Sequence, residues 1–202
     1  MDIRALALTL FAACLAPLTA PAAEPGPTQG APAQPLLPRT DVPGLPNFAQ
    51  VAPGLYRSGQ PTAEGMRTAE KLGIKTIINL RTFHSDRALI RGTGLQYVHI
   101  FAKAWHPEEE DVVAFLKVAQ DPARQPVLVH CQHGADRTGM MVASWRMVVE
   151  GWPLEDALAE LPRFGFHEVW TTIRGWLGQM NTQAIRAKVG PVAIKAPAPA
   201  QP

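Results

Sequence analysis

The chain has 202 residues, 47% of them hydrophobic and 18% charged, which bounds it to one compact domain and excludes wholesale disorder. Two cysteines exclude a disulfide framework or a multi-cysteine zinc module. The net charge of +2 divides into a neutral stretch 1–40, a tail 181–202 with three bases and no acid, and a body 41–180 at −1, a poor match to a nucleic-acid backbone.

Residues 1–22 read as an export signal: Arg4 precedes a nearly continuous apolar run from Ala5 to Ala16, and Ala20-Pro21-Ala22 has the small-x-small form of a cleavage site. The run is too short to span a bilayer, and Pro17 and Pro21 oppose a buried helix. The expected location is the bacterial periplasm. A competing variant is lipidation at Cys14, because Phe11-Ala12-Ala13-Cys14 loosely resembles a lipoprotein box. Residues 23–44 are rich in Pro, Ala, Gly and Gln and read as a flexible linker, and 189–202 as a disordered tail of the same kind. The folded domain is expected over 45–188.

Within it a short strand over Val51–Tyr56 ends in the turn Arg57-Ser58-Gly59-Gln60-Pro61. Thr62 is an N-cap for a helix through Leu72, with Gly73 as its stop. Lys75–Leu80 is β-branched and apolar, as a buried strand requires, and Leu95–Phe101 is the next strand. Pro107 opens a helix whose first turn holds Glu108, Glu109, Glu110 and Asp111, favourable at the positive end of the helix dipole. Val127–His130 is a strand, Thr138–Glu150 a helix apolar nearly all round and therefore buried, and two more helices follow around Leu154–Leu161 and Glu168–Met180. The alternation predicts an α/β fold, a central mostly parallel sheet flanked by helices. Trp145, Trp152, Trp170 and Trp176 fall at packing positions on these helices.

The segment that carries chemistry is His130-Cys131-Gln132-His133-Gly134-Ala135-Asp136-Arg137-Thr138-Gly139. It joins the most apolar strand to the most apolar helix, where open α/β sheets bind ligands. Five residues between Cys131 and Arg137 suffice to turn backbone N–H groups inward as an anion nest, with the helix N-terminus behind them. Arg137 offers a planar fork to phosphate oxygens. Cysteines in such fields have pKa values of ~3.5–7.5, so Cys131 is expected as a thiolate, an in-line nucleophile toward bound phosphate. Gly134 allows the loop to turn, and Thr138 is expected to place a hydroxyl near the sulfur. The competing assignment for Cys131 is a buried core cysteine. Its polar flanks and Arg137 oppose that. After cleavage of the signal it would be the one remaining cysteine, with no intramolecular partner to quench it.

This loop resembles the signature of the cysteine-dependent protein tyrosine phosphatase superfamily. Within it, the chain is most similar to small dual-specificity-like bacterial phosphatases with export signals, whose motifs look like Tyr56–Pro61 and Gly73–Arg81 here. The resemblance covers roughly residues 50–160. It implies a dual-specificity-phosphatase-like fold and metal-independent hydrolysis of phosphomonoesters through a phosphocysteine on Cys131, without cofactor or metal. By the same resemblance Arg137 and the backbone of Gln132, His133, Gly134, Ala135 and Asp136 bind the phosphoryl group. Phosphotyrosine or phosphoserine/threonine protein is the expected substrate. A small phosphomonoester, and especially an inositol phosphate or phosphoinositide, is the alternative, although Gln132, His133 and Ala135 are not the cationic residues such substrates usually meet.

One departure stands out. Related phosphatases take a general acid from the loop occupied here by Ala102-Lys103-Ala104-Trp105-His106-Pro107, which holds no aspartate. Asp136 is the leading candidate, followed by His106 and then an acid from Glu108–Asp111. His130 is expected to support the loop by hydrogen bonding, and His133 to face substrate or water from the rim. Arg81 and His84, after an earlier strand, are expected at the same sheet edge, lining the pocket or pairing with acids. Two other functions compete: an inactive phosphopeptide-binding module, kept open by the missing loop aspartate, and a rhodanese-type sulfurtransferase, opposed by the Arg137-Thr138 pair and the leading His130.

Overall fold

The structure, a computed structural model, describes residues 35–190. The expected signal peptide, the candidate lipidation at Cys14 and most of the linker and tail lie outside those residues. The chain runs β1 (Ala49–Ala52), β2 (Leu55–Ser58), α1 (Ala63–Lys71), β3 (Thr76–Asn79), β4 (Gln96–His99), α2 (Glu109–Gln120), β5 (Val127–His130), α3 (Asp136–Val148), α4 (Leu154–Glu160), a 3-10 turn Leu161–Phe164, α5 (Thr171–Gln179) and α6 (Thr182–Val189). The strands form one sheet in the order β1-β2-β5-β3-β4, with β1 antiparallel to β2 and every other pair parallel. No helix among the described residues is long and apolar enough to cross a membrane.

Alternation along the strands sends side chains to two cores. Leu128 and Ile77 join Leu45, Phe48 and the α1 residues Met66 and Ala69 on one face. Val127, Val129 and Ile78 face the larger cluster built by α2, α3, α4, α5 and α6. Helix α1 begins where Thr62 accepts a hydrogen bond from the Gly65 amide at 3.1 Å, a cap worth about 1 kcal/mol. It lies so close to the preceding segment that a Cβ on Gly65 would stand 2.0 Å from the Gly44 carbonyl oxygen. Helix α3 is buried along nearly its whole length, behind the central strand β5.

Several expectations are corrected in detail. The single strand over Val51–Tyr56 is a hairpin, β1 and β2, turned at Gly54 with φ of 81°. The expected linker overlaps packed chain: Leu36 and Val42 lie against the cores and the Arg39 amide donates to the Phe48 carbonyl at 2.7 Å. Helix α2 starts at Glu109 rather than Pro107, and α3 starts at Asp136, two residues before Thr138. That puts Asp136 and Arg137 inside its first turn. Helix α6 was not expected; its Ile185 is buried and Lys188 pairs with Glu109 of α2. Trp145 is buried and Trp170 and Trp176 pack against the core, while Trp152 lies under the Arg146 guanidinium at 4.4 Å.

The register positions the site. Ser58 pairs with His130, His130 with Asn79 and Asn79 with His99, so the carboxyl ends of the parallel strands finish in one row. The segments leaving them, Gly59-Gln60, Cys131–Ala135 and Leu80-Arg81, converge at that edge.

Candidate active site

Cys131 follows the central strand and is 2% exposed, a free thiol. The loop after it is shaped by what holds its carbonyls. The Cys131 carbonyl accepts from His130 Nδ1 at 3.1 Å, Gln132 from the Gln60 amide at 2.9 Å, His133 from Asn47 Nδ2 at 3.1 Å and Gly134 from Arg57 Nη2 at 2.7 Å. In a trans peptide the carbonyl and the next N–H point in opposite directions. Tying those carbonyls back to the scaffold therefore turns the amides of Gln132, His133, Gly134 and Ala135 toward the cradle. Among the described residues, none of the amides from Gln132 to Arg137 donates to a protein acceptor. Amides without protein partners in a loop that leads into a helix N-terminus are the arrangement of an anion site.

Gly134 has φ of +73°, and a Cβ there would meet Gly59 N and the Ser58 carbonyl carbon and oxygen at 2.6 Å. Asn47 holds the left-handed conformation at φ of 55° and joins the His133 and Phe164 carbonyls through Nδ2. Asparagine is among the residues that tolerate this backbone, and here it spans two loops. Arg137 is half-buried, with Nη1 3.4 Å from the Leu80 carbonyl at the end of β3. The Thr138 hydroxyl is fully buried and has no hydrogen-bond partner.

Two buried charges support the loop from below. Arg57, 1% exposed, stacks on the Phe164 ring at 3.6 Å and lies 3.8 Å from Glu160 Oε1. Burial pushes its guanidinium down to about 10, opposed by the Glu160 carboxylate and the Cys131 sulfur. It remains a cation at neutral pH, directed at the loop. Glu160 is held in turn by Arg146 at 3.1 Å. On the other side, Asp86 accepts from His130 Nε2 at 2.8 Å and Gln60 Nε2 at 2.7 Å. Burial pushes the Asp86 carboxyl up, but the bonds from His130 and Gln60 and the His130 charge outweigh it and hold the group below the usual range. His130 is thus clamped between Asp86 and the Cys131 carbonyl, a positioning role.

Asp136, the leading acid candidate, is buried with both oxygens engaged: the His167 amide donates to Oδ1 at 2.9 Å, and His167 Nδ1 lies 3.0 and 2.9 Å from Oδ1 and Oδ2. His106 is largely exposed, 3.7 Å from Glu108, which Lys103 holds below its usual range by a 2.9 Å hydrogen bond. Asp111 is half-buried, and burial followed by the Glu108 carboxylate pushes its carboxyl up. Arg81 donates to Gln60 at 2.8 Å and reaches Gln132 at 3.5 Å, while His84 lies 3.5 Å from Asp86. His133 is exposed on the rim, tilted against His167 with ring centroids 5.3 Å apart.

Sequence reasoning missed Arg57, Asp86, Glu160, Asn47, Gln60 and His167. Two of these carried a signal: Arg57 and Gln60 lie in the Tyr56–Pro61 motif, and alternation from the buried Leu55 puts Arg57 on the same inward face.

A loop of inward amides closed by Arg137 over a cysteine, at the end of a central parallel strand, defines a cysteine-phosphatase fold and site. Residues 44–167 match the family described as DSP-PTPase phosphatase fused to NAD+ kinase, and the chain belongs to that family. The dual specificity protein phosphatase TpbA of Pseudomonas aeruginosa strain UCBPP-PA14 is 35% identical over 121 residues, which are 59% of this chain and 55% of TpbA. This chain therefore spans about half of that relative's length. The crystal structure of P. aeruginosa TpbA superposes with a TM-score of 0.67 at 26% identity, covering 77% of this chain and 96% of that one. An inositol diphosphatase of Oryza sativa subsp. japonica is 29% identical over 153 residues, 71% of this chain and 74% of that protein.

Proposed function

We propose that this chain hydrolyses phosphomonoesters of protein side chains through a phosphocysteine. The observation that carries the reading is the set of inward amides from Gln132 to Arg137, held by anchored carbonyls around a free, buried Cys131. In the first step the Cys131 sulfur attacks phosphorus; the S–P bond forms, the P–O bond to the leaving group breaks, and an acid protonates the departing oxygen. In the second step water attacks phosphorus, the same group takes its proton, and the S–P bond breaks to return the thiolate and inorganic phosphate. The amides and the Arg137 fork bear the charge on the equatorial oxygens through both steps. The Thr138 hydroxyl, buried without a partner, is free to donate to the leaving sulfur.

Asp136 takes the acid role in this reading, its carboxyl fixed in direction by His167 beside the phosphate loop. Asp111 is the second candidate, because its raised carboxyl retains a proton to higher pH than an ordinary aspartate. The TpbA structure solved in complex with pTyr supports a phosphotyrosine substrate, as does the lack of lysine or arginine between Cys131 and Arg137. The inositol diphosphatase relative supports the alternative substrate class.

The test is para-nitrophenyl phosphate hydrolysis in EDTA. Wild type turns over and is blocked by vanadate; Cys131→Ser is inactive yet retains vanadate binding. Activity abolished by EDTA, or retained in Cys131→Ser, overturns the mechanism. Asp136→Asn lowers kcat far more than it raises KM; a normal kcat there, with a fall in Asp111→Asn, moves the acid to α2. Residues 1–22 are proposed to direct export to the periplasm, which the N-terminal sequence of the mature protein checks.

A further inference from the structure

Beyond the hydrolytic machinery, the rim of the phosphate loop carries a group of side chains with metal-binding chemistry. His133, Asp136 and His167 each offer one ligand atom, and these atoms all lie within 4.8 Å of one another. They come from three places in the fold: the loop, the first turn of α3, and the segment after the 3-10 turn. The two imidazoles are solvent-exposed, giving a cation access, while the carboxylate is buried and already aimed. The His167 amide holds Asp136 Oδ1 at 2.9 Å, the kind of outer hydrogen bond that orients a ligating carboxylate.

We propose that His133, Asp136 and His167 form a binding site for a borderline divalent transition cation, of the zinc type, on the edge of the active site. Two imidazoles and a carboxylate are a donor set of zinc centres, with bonds of about 2.0–2.2 Å and a fourth position open to solvent. Tetrahedral bonds of that length place ligand atoms roughly 3.3 Å apart. The His167 Nδ1 to Asp136 Oδ2 separation of 2.9 Å is close to this already. The remaining closure falls on the exposed His133 side chain, whose backbone is anchored through its carbonyl to Asn47. The cation takes the place of the His167 Nδ1–Asp136 hydrogen bond. It also ties a loop residue to the segment beyond the 3-10 turn, so occupancy opposes turnover. Only this last consequence rests on the phosphatase reading.

The experiment titrates the Cys131→Ser protein with Co²⁺, read by its d–d absorption, and with Zn²⁺ by calorimetry in buffer free of chelators. Removing the thiol separates this site from direct capture by sulfur. One equivalent is expected to bind, with intense tetrahedral-type bands. His167→Gln and, separately, His133→Gln in the same background weaken binding by roughly tenfold or more. The exposed His133 side chain makes its variant the safeguard should His167→Gln unfold. Absence of binding to Cys131→Ser, or undiminished binding in both histidine variants, overturns the site. In the wild type, Zn²⁺ is expected to inhibit para-nitrophenyl phosphate hydrolysis reversibly, each variant being scored against its own metal-free rate. Were the protein to hydrolyse no phosphate ester, the absorption bands would still decide the site.

Discussion

Arg57→Met tests the claim that the loop is shaped from beneath. The substitution keeps length and bulk but removes a cation with 1% exposure, its 2.7 Å hydrogen bond to the Gly134 carbonyl and its stacking on Phe164 at 3.6 Å. A hydrogen bond from a charged donor contributes about 1.5–3 kcal/mol, and a desolvated cation–π contact about 2 kcal/mol. The methionine sulfur returns part of the second by its own contact with the ring, about 0.3–1.5 kcal/mol. Stripping a buried charge of its partner would cost about 3–5 kcal/mol, but Glu160 keeps Arg146 at 3.1 Å, so that penalty is largely avoided. The expected loss is therefore about 3 kcal/mol. At a urea slope near 2 kcal/mol/M this moves the unfolding midpoint by about 1.5 M.

Stability alone would not separate this argument from ordinary core damage, so the decisive measurement is oxyanion affinity under conditions where the variant is folded. Freeing the Gly134 carbonyl frees the peptide that aims the Ala135 amide. Vanadate binding is expected to weaken by roughly tenfold for each 1.4 kcal/mol of lost preorganisation. Arg57→Lys restores charge without the planar fork and falls between wild type and Arg57→Met. A midpoint shift worth less than about 1 kcal/mol together with unchanged vanadate affinity would refute the reasoning.

Gly134→Ala adds a Cβ 2.6 Å from Gly59 N at a φ of +73°, so the loop must move; kcat/KM is expected to drop by roughly 100-fold, and a loss within about threefold in a steady-state assay argues against the close packing. Asp86→Asn removes a carboxylate whose folded pKa is depressed, so the stability it supplies is present above the ordinary aspartate value of about 3.9 and is lost as pH falls through the folded pKa. Urea midpoints of wild type and Asp86→Asn should differ most near neutral pH and converge below about pH 4; a gap that does not vary with pH contradicts the His130–Asp86 account.

How much of this was legible in the sequence follows from the range of the interactions. Thr62 as N-cap, the apolar run at Ile77-Ile78 and the wholly buried α3 are local or periodic, and such signals survive in a single chain. The Cys131–Arg137 loop was legible because its spacing is its chemistry. Its supports were not. Arg57 reaches Gly134 across 77 positions, His130 meets Asp86 across 44, and Asp136 meets His167 across 31. No periodicity encodes a charge that becomes a partner only after the sheet has formed. The helix α6 was missed because, although nearly all of it fell inside the expected domain, its short, largely polar sequence buries one side chain, Ile185, too few for a helical period to show.

The same separation explains why the acid was harder to read than the nucleophile. A nucleophile needs the field of its own loop, and residues 131–137 carry that field wherever the strand and helix place them. An acid has to meet a leaving group whose position is set outside the loop, and the candidates depend on remote segments or on solvent: Asp136 is aimed by His167, the Asp111 carboxyl is pushed up by burial and then by Glu108, and His106 stands in solvent. The loop's own carbonyls face outward onto Asn47, Gln60 and Arg57, so in the proposed function the phosphate cradle is set by the scaffold before any substrate arrives. What remains adjustable is the outer ring, where His133 and His167 are exposed. On the proposed function, phosphate capture and proton delivery are therefore governed by different parts of the fold, and substitutions at His133 and His167 should alter rate and cation sensitivity while leaving oxyanion affinity close to that of the parent protein.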